Sequence, residues 1–357
     1  MLIGKDKHKN QITVLICLIL LSTFLLIIGC AKKQTAQLNE TTEQNKPIPA
    51  QKSIPLSIEN NCIGFLIGTM EEIPLVAKAG GAWIRPHPGP FSWELIEPKK
   101  GTFDFTLTDD LVKTAQYYNI AILPTIWPYA SWDQAKCHGE ECLVTEEDQF
   151  YSKDRIVIPN SRCKPCDWNA YKKFLSELVE RYDGDGFKDM PGLQIPIKYW
   201  EILNEPEMRE KDLTFFKGDE KEYVEILKYS YEAIKSSCPD CKVVQGGCAG
   251  NGKAGFWENV FTYGGADYFD IANIHFITHG DKETLNVKDF KALLDKHNIK
   301  KPIWVTEAEL TDEKNLIEYS KNAIKAGATK IFFTKILMDD HKISPVYKNI
   351  TDICNVP

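Results

Sequence analysis

Eight short apolar runs punctuate the chain: Ile63–Gly68, Ala82–Pro86, Ile120–Trp127, Ile197–Asn204, Lys242–Gly247, Ile271–Ile277, Pro302–Glu307 and Lys330–Leu337. Helical stretches fall between most of them, the clearest being Asp109–Tyr118, Trp168–Tyr182, Glu222–Ser237, Val287–His297 and Asp312–Ala326. Within the fourth, Phe290, Leu293 and Leu294 recur at the spacing of a helix with one apolar face. Repeated strand–helix units imply a parallel sheet, and eight of them imply closure. The expected fold class is α/β: a single (β/α)8 TIM barrel over residues 57–357. An open doubly wound sheet is the alternative, but no G-x-G-x-x-G follows the first strand. The last helix is poorly marked, because Lys342–Pro357 is short.

In such a barrel the chemistry sits where strands end and the following loops begin. The fourth run, in Tyr-Trp-Glu-Ile-Leu-Asn-Glu-Pro-Glu (199–207), starts as a buried strand yet carries Glu201, Glu205 and Glu207. Strands avoid Glu, and a buried carboxylate is costly unless paired or neutralised. Pro206 ends the ladder and leaves Asn204 and Glu205 at the rim. The seventh run ends in Glu307, and the second puts Trp83, Arg85 and His87 on one face by its period of two. The sixth contributes His275, and the third ends in Trp127, expected to face substrate. Glu201 is expected inside the barrel beside a cation, and Glu207 in solvent. His275 reads equally as a site residue or a satisfied core histidine, and His87 as a loop or site residue. Two carboxylates at one rim suit glycoside hydrolysis, in which one protonates the leaving oxygen and the other attacks or activates water. Arg85 would hold the attacking carboxylate ionised.

The segments Lys-Tyr-Trp-Glu-Ile-Leu-Asn-Glu-Pro-Glu (198–207) and Trp-Val-Thr-Glu (304–307) resemble two signatures of the retaining (β/α)8 glycoside hydrolases. That clan includes cellulases, mannanases and β-xylosidases, families 5, 39 and 42 among them. Trp93-Glu94-Leu95-Ile96-Glu97-Pro98 with Gly101-Thr102-Phe103-Asp104 is similar to the second βα loop of families 39 and 42. The resemblance implies that Glu205 is the acid/base, Glu307 the nucleophile and Asn204 a contact to the sugar 2-hydroxyl. Arg85, His275, His87 and Trp127 would support substrate. It implies an oligo- or polysaccharide substrate and no cofactor. The eighth run departs from the clan, since Phe332-Phe333-Thr334-Lys335 supplies no sugar-stacking Trp. A lipid-anchored carbohydrate-binding protein without turnover, and a transglycosidase, remain alternatives.

A net charge of −7 argues against a nucleic-acid partner, which would want a basic face. Lys5, Lys7 and Lys9 precede the apolar run Ile12–Ile28, which stops at Gly29-Cys30. A basic segment before an apolar one is an export signal. Its end resembles a bacterial lipobox, with residues 1–29 removed and Cys30 lipidated. An uncleaved membrane anchor is the alternative, and both readings place the rest outside the cytoplasmic membrane. Residues 30–56 are polar and aperiodic, and read as a flexible tether.

Cys137-x4-Cys142 and Cys163-x2-Cys166 bracket an insertion between strand three and its helix. Four cysteines in two pairs suit zinc or two disulfides; the exported compartment favours disulfides but does not fix their connectivity. Cys238 and Cys241 read as a structural disulfide, Cys62 and Cys354 as a pair joining the two ends, and Cys248 as a free thiol. Asp183-Gly184-Asp185-Gly186 with Asp189 resembles part of a calcium loop but lacks the downstream Glu, and reads better as a tight turn.

Overall fold

The computed structural model describes residues 51–144, 158–209, 213–250, 254–310, 313–339 and 342–355. The signal, Cys30 and most of the tether lie outside them. Nine barrel strands alternate with seven helices: β1 (Ile63–Ile67), α1 (Ile73–Lys78), β2 (Trp83–Pro86), α2 (Thr106–Tyr117), β3 (Ala121–Ile122), β4 (Thr125–Ile126), α3 (Trp168–Tyr182), β5 (Tyr199–Ile202), α4 (Glu220–Ser237), β6 (Lys242–Gln245), α5 (Ala254–Thr262), β7 (Ala272–Phe276), α6 (Val287–Lys296), β8 (Ile303–Ala308), α7 (Glu313–Ala326) and β9 (Ala328–Phe333). The unmarked last helix is a 3-10 segment, Pro345–Ile353.

Every barrel pairing is parallel. One sheet runs β3-β2-β1-β9-β8-β7 and the other β4-β5-β6. Single-residue bridges from Val244 to Ile271 and from Cys248 to Ile274 join β6 to β7 and close the barrel. The third apolar run is two strands rather than one. Pro124 lacks a ladder donor, so β3 pairs with β2 and, beyond the proline, β4 pairs with β5.

Alternation along the strands sorts two cores. Ile63, Phe65, Ile84, Ile122, Trp200, Ile202, Val243, Ile274, Val305, Ile331 and Phe333 face outward against the helices. Trp83, Ala121, Leu123, Val244, Trp304 and Phe332 fill the inside of the barrel near its lower mouth. Gly64 belongs to that filling, since a Cβ there would lie 2.3 Å from the Phe332 ring.

Residues 51–56 are part of the fold rather than tether. The Lys52 amide donates to Gly184 O, and Ile54 packs in the inner core with Ile58. The short turn Leu56–Glu59 then closes the lower mouth. Trp83 Nε1 donates to Ile58 O (3.0 Å), Tyr199 Oη to Glu59 Oε1 (2.5 Å), and Lys330 Nζ to Glu59 O (2.7 Å). Lys330 sits 4.2 Å from the Trp83 ring centroid, and burial pushes its amine down to about 8.

Four disulfides form among the described residues: Cys62–Cys354, Cys137–Cys166, Cys142–Cys163 and Cys238–Cys241, while the Cys248 thiol is outside any disulfide and buried. The first ties the start of β1 to the last 3-10 segment. The second and third staple the insertion after β4. The Asp183–Asp189 segment is a turn whose carboxylates accept its own amides, Gly184 N and Gly186 N on Asp189 and Asp185 N on Asp183.

Candidate active site

At the upper mouth lies a cleft of about 990 Å³, with Glu205, Glu307, Asn204 and His87 among its lining residues. Asn204 and Glu205 are consecutive, so a regular strand would send them to opposite faces. Leu203 (φ 68°) and Glu205 (φ 38°) instead take left-handed backbone conformations on either side of Asn204. Each costs roughly 1–3 kcal/mol in a non-glycine residue, of the kind held where function needs it. Asn204 thereby turns in to meet Arg85 while Glu205 turns in to meet His275. A second irregularity serves Glu307. The register of β7 on β8 steps from Ile274↔Val305 to His275↔Glu307, passing over Thr306. Thr306 is a bulged residue, and it and Glu307 both face the interior.

Beneath the cleft lies a buried polar layer. Arg85 is fully buried and donates from Nε to Glu201 Oε2 (2.6 Å), from Nη1 to Glu307 Oε1 (2.8 Å) and from Nη2 to Asn204 Oδ1 (2.7 Å). Glu201 also accepts from Thr125 Oγ1 (2.5 Å) and Asn273 Nδ2 (2.6 Å). All of these are charge-assisted or carboxylate bonds, the strong class. Glu201 is thus the interior carboxylate beside a cation that its strand position implied. Burial raises the Glu307 carboxyl above its ordinary range, opposed by the Arg85 guanidinium.

His275 bonds Glu205 Oε1 through Nδ1 (2.8 Å) and Thr306 Oγ1 through Nε2 (2.9 Å). Burial pushes its imidazole down to about 4, so it is neutral at pH 7. Behind it, a Cβ on Gly247 would lie 1.9 Å from His275 Nε2. Gly247→Ala should therefore displace the ring and cost about 1–3 kcal/mol, the range for overpacking, read as a lower urea midpoint with parallel loss of activity.

Four residues stand elsewhere than expected. Trp127 does not face the cleft: it is 1% exposed, its indole donates to Pro88 O, and it backs His87 and Phe215. Arg85 and His275 stand behind the two glutamates rather than among the cleft-lining residues, each 0% exposed. Glu207 is buried, not solvated. Its Oε1 accepts from Ala249 N (2.6 Å) and Trp257 Nε1 (2.8 Å), bracing the loop after β6, and burial pushes its carboxyl up to about 7. His87 does line the cleft, as do Phe215, Thr278, His279, Glu309 and Lys335, which no sequence motif marked. Phe215 is carried by a loop stitched to the stapled insertion, through Lys217 N to Arg162 O (2.8 Å) and Arg162 Nη1 to Thr214 O (2.5 Å).

One donor atom each from Glu205, His275 and Glu307 lies within 4.8 Å of the others, close enough to share a metal ion. The Arg85 guanidinium on Glu307 already supplies positive charge there and disfavours a divalent cation.

No family model matches the chain, and no curated protein matches it. Solved structures share its fold. A family 39 glycoside hydrolase from Bacteroides cellulosilyticus WH2 is 18% identical with a TM-score of 0.55, over 84% of this chain and 64% of that one. A monomeric β-xylosidase from Caulobacter crescentus CB15 is 14% identical with a TM-score of 0.55, over 80% and 62%. Xylanase 10B from Thermotoga petrophila RKU-1 is 15% identical with a TM-score of 0.52, over 87% and 99%. The chain thus spans less than two thirds of the first two proteins. Its fold is the (β/α)8 barrel that these glycoside hydrolases share.

Proposed function

We propose that the protein is a retaining glycoside hydrolase that cleaves O-glycosidic bonds of an oligo- or polysaccharide. The observation that carries this reading is the meeting of two glutamates at one mouth, an oxygen of each within 4.8 Å of the other, on different buried partners: Arg85 for Glu307 and His275 for Glu205. A close carboxyl pair suits retention, since inverting enzymes set theirs farther apart to admit a water. The surroundings support different roles. Glu307 rests on Arg85, which favours its ionised form for attack on the anomeric carbon. Glu205 rests on neutral His275 and would protonate the departing oxygen. Glu205, now a carboxylate, would then take a proton from water as that water releases the sugar from Glu307. Asn204, oriented by Arg85, would meet the sugar hydroxyl next to the reacting carbon. Among the described lining residues Phe215 is the aromatic available for stacking, with Leu66, Ile67, Met208 and Ile277 as apolar wall.

Lys5, Lys7, Lys9 and the run Ile12–Ile28 support a further part of the proposal: export, and tethering to the membrane through a lipidated Cys30.

Intact mass of the full chain after exposure to a panel of activated 2-fluoro glycosides tests the reaction. A sugar-sized increase, absent in Glu307→Gln, is the expected result. Folded protein that forms no adduct with any of them would overturn the reading in favour of binding without turnover.

A further inference from the structure

Resting on the proposed reaction, we infer that Thr306 is a positioning residue: it fixes neutral His275 as the Nε2–H tautomer, so that Nδ1 accepts a proton-bearing Glu205. Thr306 Oγ1 has one hydrogen and three polar neighbours: Asn273 Oδ1 at 2.9 Å, Glu201 Oε1 at 3.1 Å and His275 Nε2 at 2.9 Å. Asn273 presents its oxygen here because its Nδ2 donates to Glu201 Oε1 (2.6 Å) and Gln245 O (3.2 Å), and Oδ1 also accepts Thr306 N (3.3 Å). Two of the three neighbours are therefore pure acceptors. Were the hydroxyl hydrogen aimed at Nε2, both would face an oxygen lone pair at contact distance. With the hydrogen on the acceptor side, the hydroxyl instead accepts, and Nε2 must carry the imidazole proton.

The consequence falls on Nδ1, 2.8 Å from Glu205 Oε1. A neutral ring protonated at Nε2 offers only a lone pair there, so the bond exists when Glu205 is the donor. An acceptor for the neutral form of an acid favours that form. Thr306 therefore acts on the proton of Glu205 through a ring it holds, without touching substrate. When Glu205 has given its proton to the leaving oxygen, the same lone pair faces a carboxylate, which favours recovery of a proton from water in the second step.

The tautomer is directly observable. In ¹⁵N–¹H correlation spectra of the full chain in detergent at pH 7, with His275→Gln assigning the signal, His275 should appear protonated at Nε2 and bare at Nδ1. A ring protonated at Nδ1, or at both nitrogens, overturns the inference whatever the activity. Kinetics give a second reading. Thr306→Val should reduce kcat/KM on a phenyl glycoside by about 100-fold, the low end of general acid catalysis. It should cost under about 10-fold on the 2,4-dinitrophenyl glycoside, whose leaving group needs little protonation, and Thr306→Ser should restore the phenyl rate. Equal losses on both substrates, or none, would also overturn it. The predicted tautomer in a protein that turns over no glycoside would defeat the proposed reaction and leave the Thr306–His275 arrangement standing.

Discussion

Glu307→Gln should abolish turnover while leaving the barrel folded. In the proposed reaction the substitution keeps size and shape and removes the nucleophilic charge, so a glycosyl-enzyme cannot form. Removal of a catalytic nucleophile costs at least about 10⁴-fold in kcat, or ~5.5 kcal/mol of barrier. The fold should survive because Arg85 keeps Glu201 as its ionic partner at 2.6 Å, and its Nη1 can still donate to the amide oxygen. A matching Glu205→Gln separates the two roles. It should spare adduct formation from a dinitrophenyl glycoside, which needs no acid, and block slower-leaving substrates. Steady-state rates on both glycosides, with circular dichroism to confirm folding, decide the matter. Comparable activity in Glu307→Gln would remove it from the chemistry.

Arg85→Met should destabilise the protein by about 3–5 kcal/mol, the cost of breaking a buried ion pair from one side. The guanidinium is the shared partner of Glu201, Glu307 and Asn204, and none of its bonds has solvent to replace it. Met fills similar volume, so the loss reports uncompensated charge rather than a cavity. Urea unfolding of the variant measures it through the midpoint at constant slope. Adding Glu201→Gln should recover part of the stability, as a double-mutant cycle would show, because one of the stranded carboxylates is then gone. Activity should not return with it, since Glu307 and Asn204 remain unsupported. A loss below about 1 kcal/mol would mean that the layer relaxes or admits water.

The barrel was legible because its evidence is periodic. All eight apolar runs lie on barrel strands, α3 occupies the residues that its pattern implied, and Asn204-Glu205 and Glu307 reach one mouth. What escaped was whatever depends on broken periodicity. Thr306 directly precedes Glu307, and a period of two assigns it to the outer face; only the bulge in β8 brings it inward. Glu207 reads as solvated after Pro206, but the loop after β6 supplies it with the Ala249 amide and α5 with the Trp257 indole, both from far along the chain. Trp127 ends its strand as a substrate-facing aromatic would, yet Pro88 O takes its indole N–H and His87 covers it. Neither partner is local, so no window of sequence contains the answer. The disulfide pairing of the insertion was undecidable for the same reason: Cys137–Cys166 with Cys142–Cys163 is a nested arrangement that spacing alone does not select.

That nesting has a consequence for the cleft. Both bridges begin and end within residues 137–166, so the insertion owes its closure to its own covalent bonds. Cys62–Cys354, by contrast, spans the barrel. Among the described residues, the insertion meets the cleft wall through the loop that carries Phe215. A change within this cassette would therefore act on the cleft through the Phe215 loop and leave Arg85, His275 and the two rim glutamates on their own strands.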